Sequence, residues 1–399
     1  MDALVLDARQ RQSLVCVRTL GKAGMRVATA DRRRSAAAAS RWAATDVRLP
    51  DLADGEAAFV ASIANAVERL RPRVVIAAHD GTIEALRSRR QMIGTPIALA
   101  DDEALACAIS KERTYALADQ LSIGRPRTTT VESARELKSA LHDAPLPLVV
   151  KPSQSWAATA TGGVRLQASV VTTRSAAETA AARILAAGVR VLLQEWVGGR
   201  REAVSLFRRD GRIHARFAQV AFRMSPPLGG SSVVRESVEL PADATIAAER
   251  LIEAMRLDGY SEVEFRRNAA GEPLLMEVNP RLSASVEVAV RSGVDFPRAV
   301  YRWAAGDEAE EVTGYRVGVR MRWLGGDIHW LWRTLRSQGM PDSLPALQAG
   351  GLFLRDFFRP AAYDYLALSD PLPAVVASGQ FVSGGVGTIA RHVHRMLER

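Results

Sequence analysis

Apolar and polar residues alternate along two nearby stretches of the chain, 262–265 and 274–281, and this period-two pattern predicts a β-hairpin. The residues between them include Asn268 and Gly271, which favour a turn. The two stretches are therefore expected to be antiparallel neighbours in a sheet.

An ungapped pairing of this hairpin places Glu264 opposite Glu277 and Glu262 opposite Asn279, all on one face. The other face is then expected to carry four apolar residues: Val263, Phe265, Met276 and Val278. Carboxylates that face each other across a strand pair are destabilising unless a cation lies between them, and Mg²⁺ prefers such oxygen ligands. A solvated acidic face on an ordinary amphipathic hairpin is the alternative interpretation.

The first hundred residues have short apolar strands near 3–6, 26–30, 74–78 and 97–100, with a helical pattern at 13–23. This order is typical of a parallel, doubly wound α/β unit. The first strand is followed by Asp7-Ala8-Arg9-Gln10 rather than a glycine-rich turn, so dinucleotide binding is not expected there.

A long helix is predicted over 101–120, and a strand at 148–152 carries Lys151 near its end. The polar loop 153–163 and a return strand at 164–166 follow, which favours a flap over phosphate groups. An exposed lysine at a strand end without a ligand is the alternative.

A strand at 190–194 leads into Gly198-Gly199, and Glu202 opens a second strand pair that turns at 210–211. A helix at 242–257 then leads to the acidic hairpin. Beyond about residue 307, apolar and aromatic runs indicate a C-terminal subdomain without a clear motif.

The chain has 399 residues, 48% hydrophobic and 24% charged, which is the composition of a globular protein with two or three domains. It lacks an apolar run of spanning length and begins without a signal-peptide pattern, so we expect a cytoplasmic protein with no membrane partner. The net charge of +9 would suit nucleic acid or small anions. Scattered arginines and only 6% aromatic residues argue against nucleic acid.

The order of several motifs resembles the ATP-grasp superfamily. These motifs are Ser110-Lys111, Val149-Val150-Lys151-Pro152, Gln194 to Glu202, Glu264-Phe265, and Met276-Glu277-Val278-Asn279-Pro280-Arg281. Uncharacterised carboxylate–amine ligases share the Asn-Pro-Arg element and a stretch like 226–232. Residues 282–285, Leu-Ser-Ala-Ser, are instead similar to the ATP-grasp domain of the large carbamoyl phosphate synthetase subunit.

The resemblance implies a mixed α/β ATP-grasp fold with four parts. We expect a Rossmann-like domain at 1–105, a linker helix and small lid subdomain at 106–188, a large lobe with the metal site at 189–310, and a C-terminal subdomain at 311–399. A homodimer is compatible with this resemblance, because many relatives dimerise.

The resemblance also implies roles for ten residues. Lys111 and Lys151 would contact phosphates; Glu195, Trp196 and Val197 would bind adenine; Glu202 would bind the ribose; Glu264, Glu277 and Asn279 would hold Mg²⁺ or Mn²⁺; and Arg281 would stabilise an acyl phosphate. Asp80, Arg223, Arg235 and Ser283 are weaker candidates for the substrate pocket.

The function implied is an ATP-dependent carboxylate–amine ligase for small molecules, which forms an acyl phosphate and ADP and then an amide. One alternative is an enzyme that phosphorylates bicarbonate, and another is a nucleotide-binding regulatory protein without turnover. The lid loop has few glycines and carries the bulky Trp156, which departs from the family pattern.

Overall fold

The computed structural model describes residues 1–159 and 162–383. The N-terminal domain is built on a parallel sheet of order β3-β2-β1-β4. Its elements are β1 (Ala3–Val5), α1 (Arg11–Lys22), β2 (Val27–Asp31), β3 (Ala43–Arg48), α2 (Glu56–Leu70), β4 (Val74–Ile76) and α3 (Asp80–Arg87), with 3-10 turns at Leu52–Asp54 and Arg90–Met92. The predicted parallel α/β unit is confirmed.

The strand predicted at 97–100 is wrong. Only one bridge, between Val75 and Ile97, joins this segment to the sheet. Leu99 N donates to Ile97 O at 2.8 Å, and this tight local turn takes the chain away from the sheet edge.

The single helix predicted over 101–120 is two helices, α4 (Asp102–Ile109) and α5 (Lys111–Gln120). Ser110 between them has an extended backbone, and its Oγ accepts from Arg113 N. A serine in this position caps the second helix and ends the first. The break places Lys111 in the first turn of α5.

The small domain has an antiparallel sheet of order β5-β10-β6-β9 and a separate hairpin, β7-β8. Its elements are β5 (Thr128–Val131), α6 (Ala134–Asp143), β6 (Leu148–Pro152), β7 (Trp156–Thr159), β8 (Gly162–Arg165), β9 (Ser169–Val171), α7 (Arg174–Ala186) and β10 (Val191–Glu195). The predicted lid loop is this hairpin, although its Ala160 and Thr161 lie outside the described residues. β10 belongs to this sheet by pairing, although the boundary predicted at 189 would assign it to the large lobe.

The large domain has a seven-stranded sheet of order β15-β14-β11-β12-β13-β16-β17, antiparallel except for its last pair. Its elements are β11 (Arg201–Arg209), β12 (Arg212–Ser225), β13 (Ser231–Val238), α8 (Ala242–Ala254), β14 (Gly259–Arg267), β15 (Pro273–Asn279), α9 (Glu287–Ser292), α10 (Phe296–Ala304), β16 (Arg320–Arg322), α11 (Leu324–Arg336), α12 (Ala346–Arg355) and β17 (Ala362–Tyr363). The segment after residue 310 therefore extends the large sheet through β16 and β17. Residues 384–399 of the predicted C-terminal subdomain lie outside the described part.

The C-terminal segment is held to the N-terminal domain by buried ion pairs. Asp364 accepts from Arg11 at 2.5 Å and from Arg235 at 2.7 Å. Asp370 accepts from Arg18 at 3.0 Å and from Ser40 at 2.7 Å. These contacts join α1 to residues more than 300 positions away in the sequence.

In the part of the chain that the structure describes, no helix combines the length and the apolar character needed to cross a bilayer.

Replacement of Asp364 by Asn is expected to lower the free energy of unfolding by about 3–5 kcal/mol, because two buried guanidinium groups lose their shared countercharge. Denaturant unfolding measures the change. Asp143→Asn, at an exposed site, is the control and should change stability by less than about 0.5 kcal/mol. Equal effects of the two substitutions would contradict this role for Asp364.

Candidate functional site

A cleft of about 850 Å³ lies between the small and large domains and reaches the N-terminal domain. Its floor is the acidic face of the hairpin β14–β15. Glu264 pairs with Glu277, and Glu262 pairs with Asn279, which is the predicted register. All four side chains line the cleft.

The register shifts after Glu264, so that Phe265 pairs with Leu275 rather than with Met276. Leu275 is fully buried in the core beside Val263, Phe265 and Val278, whereas Met276 lines the cleft. The predicted position of Met276 on the core face is therefore wrong. A β-bulge adds one residue to a strand, and this reverses the alternation beyond it.

Arginine and lysine side chains compensate the facing carboxylates. Arg201 Nη1 lies 3.3 Å from Glu264 Oε1 and Arg201 Nη2 lies 3.5 Å from Glu262 Oε1. Lys111 Nζ lies 3.9 Å from Glu277 Oε2. These cations come from β11 and α5, so the hairpin does not hold its own countercharge.

The two facing carboxylates have opposite pKa shifts. Burial raises the pKa of Glu264 to about 8, with Arg201 opposing the shift and the negative charge of Glu277 adding to it. Burial would also raise the pKa of Glu277, but the charges of Lys111, Lys151 and Arg201 outweigh it and lower the pKa. The raised pKa of Glu264 favours its neutral form, so the site holds less negative charge than its residues would carry in water. A further cation would favour the ionised form of Glu264 and restore that negative charge.

The residues present fit a Mg²⁺ ion. Asn279 Nδ2 donates to Glu264 Oε1 at 3.1 Å and lies 3.5 Å from Glu277 Oε1, so the positive end of the amide dipole occupies the space between the carboxylates. Across residues 1–159 and 162–383, no group of three or more His, Cys, Asp or Glu side chains is arranged to hold a metal. Two carboxylates are nevertheless sufficient when phosphates supply the remaining ligands.

Lys151 lies on the opposite wall of the cleft, in β6. Its Nζ donates to Tyr115 OH at 2.7 Å, and Tyr115 OH donates to Met276 O at 2.8 Å. Gln194 Nε2 also donates to Tyr115 OH, at 3.0 Å. The chain contains only four lysines, and two of them, Lys111 and Lys151, line this cleft.

Arg281 lies where the cleft meets the N-terminal domain. Both oxygens of Asp80, the first residue of α3, accept from its guanidinium group, and the Nη2 to Oδ2 distance is 3.1 Å. Burial would raise the pKa of Asp80, but the charge and hydrogen bonds of Arg281 outweigh it and lower the pKa. Arg281 Nη2 also donates to Asn279 Oδ1 at 3.2 Å, which links it to the metal-site candidates.

The lid hairpin reaches the N-terminal domain through Trp156. Its ring packs edge-on against His79, with ring centroids 6.1 Å apart. A methyl group at Gly81 would lie 2.8 Å from Trp156 Cδ2, and one at Gly163 would lie 2.1 Å from Cζ2. The indole therefore lies between two glycines whose lack of a side chain makes room for it.

Comparison with known proteins gives a family match for part of the chain. Residues 190–326 match the family model described as "ATP-grasp in the biosynthetic pathway with Ter operon". The D-alanine–D-alanine ligase of Ectopseudomonas mendocina (strain ymp) is 24% identical over 242 residues, covering 58% of this chain and 75% of that protein.

Two solved structures have a similar fold. L-amino acid ligase from Bacillus licheniformis superposes with a TM-score of 0.61 at 16% identity, covering 77% of this chain and 75% of that one. The biotin carboxylase domain of Hydrogenobacter thermophilus 2-oxoglutarate carboxylase, solved with MgADP, ADP and bicarbonate, gives 0.62 at 12% identity and covers 80% and 73%. The chain has the ATP-grasp fold. The predicted fold class is thereby confirmed.

The structure brings nine of the ten predicted ATP-grasp site residues to the cleft. They are Lys111, Lys151, Glu195, Trp196, Val197, Glu264, Glu277, Asn279 and Arg281. Their roles remain predictions. The carboxylate of Glu195 accepts from Arg127, at 2.9 Å from the backbone N and 2.7 Å from Nε, and the backbone N of Glu195 donates to Arg127 O at 3.0 Å. The carboxylate and the backbone N–H of Glu195 are therefore both engaged within the protein.

Glu202 does not line the ATP-grasp cleft. It pairs with Phe265 in β14, on the core face of the sheet, and its carboxylate accepts from Arg267 Nε at 2.9 Å. Its neighbour Arg201 points into the cleft instead. Successive side chains in a strand point to opposite faces, and the sequence motif did not fix which face Arg201 and Glu202 take. The pairing of the strand decides that Arg201 faces the cleft.

The weaker candidates for the substrate pocket also separate. Asp80 pairs with Arg281, and Ser283 lines the cleft while it bonds to Tyr260 and Ser285. Arg235 is fully buried against Asp364, and Arg223 forms a bidentate pair with Asp327. Both arginines are structural in this arrangement.

Sequence reasoning missed Tyr115, whose buried hydroxyl accepts from Lys151 Nζ, and Gln194, which donates to the same hydroxyl. It also missed Arg201. Gln194 directly precedes Glu195 in β10, and successive side chains in a strand point to opposite faces. This alternation was the signal that Gln194 and Glu195 have different surroundings.

Replacement of Gly81 by Ala is expected to displace Trp156 and loosen the lid hairpin, because the added methyl group overlaps the indole. Overpacking of this kind costs about 1–3 kcal/mol of local stability. We therefore expect amide hydrogen exchange at residues 153–157 to be roughly tenfold or more faster. Gly350→Ala, with no atom within 4 Å of its added methyl group, is the control. Unchanged exchange in the Gly81 variant would show that this contact does not hold the lid.

Proposed function

We propose that the protein is an ATP-dependent carboxylate–amine ligase that releases ADP. The observation that carries this proposal is the convergence of Glu264, Glu277 and Asn279 on one strand-pair face with Lys111 and Arg281 beside them. This arrangement supplies metal ligands and fixed cations around one point. Phosphoryl transfer depends mainly on such positioning and charge neutralisation.

In this proposal, Glu264, Glu277 and Asn279 would hold Mg²⁺, and the bound ion would draw charge from the transferring phosphate. Lys111 and Lys151 contact the phosphate oxygens, and the carbonyl oxygen of Glu195 and the backbone of Val197 meet the adenine edge. Met276 and Trp196 line the same wall of the cleft and would contact the base.

The proposed chemistry has two steps. An oxygen of the substrate carboxylate attacks the γ-phosphorus of ATP, and the bond to ADP breaks, which gives an acyl phosphate. An amine nitrogen then attacks the acyl carbon, inorganic phosphate leaves, and the nitrogen loses a proton. Arg281 stabilises the acyl phosphate, and the lid hairpin with Trp156 excludes water that would hydrolyse it.

The relatives support an amino acid as the carboxylate. A D-alanine–D-alanine ligase and an L-amino acid ligase are both named for acting on amino acids. The biotin carboxylase domain, solved with bicarbonate, has a comparable TM-score. A likeness in fold at this identity does not separate the two acids, so bicarbonate is included in the test.

We expect ADP release to be stimulated by an amino acid together with an amine, and not by bicarbonate alone. A coupled ADP assay over D- and L-amino acids, singly and in pairs, measures this. ADP release that requires only bicarbonate would replace this proposal with the carboxylase alternative. No turnover with any pair, despite nucleotide binding, would favour the regulatory alternative.

Replacement of Glu277 by Gln is expected to lower kcat for ADP release by about 10²–10³-fold, because it removes one of the two charges that hold the metal. Glu272→Gln, an exposed change in the turn of the same hairpin, is the matched control and should retain activity. Equal activity of the two variants would exclude the proposed metal site.

A further inference from the structure

A second cavity, of about 710 Å³, lies beside the cleft and is lined by residues of the large sheet and of α11 and α12. Trp196, Leu228 and Arg266 line both cavities and form the wall between them. Seven of its twenty lining residues are arginines, and Asp342 is its one carboxylate. We call this cavity the arginine pocket.

Four of these arginines are satisfied within the protein. Arg201 pairs with the hairpin carboxylates, and Arg223 pairs with Asp327. Arg266 donates to the carbonyl oxygens of Val197 and Gly199, and Arg320 pairs with Glu236. Their contacts need no ligand, so they form the wall of the pocket.

The other three arginines differ. Arg200, Arg355 and Arg359 are exposed and have no carboxylate partner among residues 1–159 and 162–383. The Arg200 guanidinium lies 4.9 Å from the ring centre of Phe222, which holds it at the pocket without neutralising it. Three uncompensated guanidinium groups around one cavity attract anions.

The interior of the pocket also has polar groups without partners. Thr334 is only 2% exposed, and its Oγ has no hydrogen-bond partner in the described part of the chain. The same holds for Ser343 Oγ. Both residues line the pocket. A buried hydroxyl without a hydrogen-bond partner is destabilising, and an oxygen-rich ligand would satisfy it.

We propose that the arginine pocket is a second ligand site that binds a small polyanion with two or more phosphate or carboxylate groups. Arginine is suited to both groups through its planar, bidentate geometry. The volume is that of an ordinary small-molecule site. The proposal does not depend on the ligase activity, because the groups that carry it are separate from Glu264, Glu277 and Lys151.

The test is titration calorimetry at fixed ionic strength, with tripolyphosphate and citrate as probes and inorganic phosphate as the simple anion. The wild-type chain should bind tripolyphosphate or citrate at this site more tightly than inorganic phosphate. The double variant Arg355→Gln/Arg359→Gln should weaken that binding about tenfold or more, because two charge-assisted contacts are lost. Both residues are exposed, and thermal unfolding should show that the variant remains folded.

Two further variants distinguish binding in the arginine pocket from general charge attraction and from binding in the cleft. Arg33→Gln/Arg34→Gln removes the same charge from an exposed site in the N-terminal domain and should leave probe binding unchanged. Lys151→Met removes a cation from the cleft and reports any probe that binds there, whereas saturable binding in the arginine pocket should persist in this variant. The preference between tripolyphosphate and citrate identifies the anionic group.

Equal weakening by the two arginine double variants would show general charge attraction and overturn the proposal. Loss of all saturable probe binding in Lys151→Met would place the anion in the cleft, which also overturns it. Absence of saturable binding by both polyanions would have the same consequence.

Discussion

The repulsion between Glu264 and Glu277, which face each other across one strand pair, is the constraint on which the cleft depends. Within the hairpin, Asn279 Nδ2 donates to Glu264, but this neutral amide supplies no countercharge. The compensating cations come from other elements: Arg201 from β11, Lys111 from α5 and Lys151 from the small domain. The packing of α5, β11 and the small domain against the hairpin therefore stabilises the acidic pair.

The basic residues of the chain are divided by chemistry. Two of the four lysines lie in the cleft, and under the proposed function their compact, strongly hydrated charge suits mobile phosphate groups. Arginine supplies the fixed positions, as in the buried pairs of Arg11 and Arg235 with Asp364. Its planar guanidinium group can bind two oxygens at once, which fixes the geometry of the ion pair.

The C-terminal segment has two structural consequences. Through Asp364 and Asp370 it joins the N-terminal domain to the large domain. Through α11 and α12 it closes one side of the arginine pocket, and the wall with Trp196, Leu228 and Arg266 is shared with the cleft. A ligand in that pocket would touch Arg266 and Trp196, which also line the cleft, so the two sites share a wall.

The sequence by itself determined the parallel N-terminal unit and the register of Glu264 with Glu277, because these follow from local alternation and turn chemistry. The order of its motifs indicated the ATP-grasp fold through resemblance to that superfamily. It also located nine of the ten predicted site residues that line the cleft. It did not determine the bulge that turns Met276 into the cleft, nor that Arg201 rather than Glu202 faces it. Only the tertiary structure decided these, because the phase of a strand depends on which neighbours pair with it. The ion pairs of Asp364 and the arginine pocket are likewise tertiary, since their residues are far apart in the chain and have no local pattern.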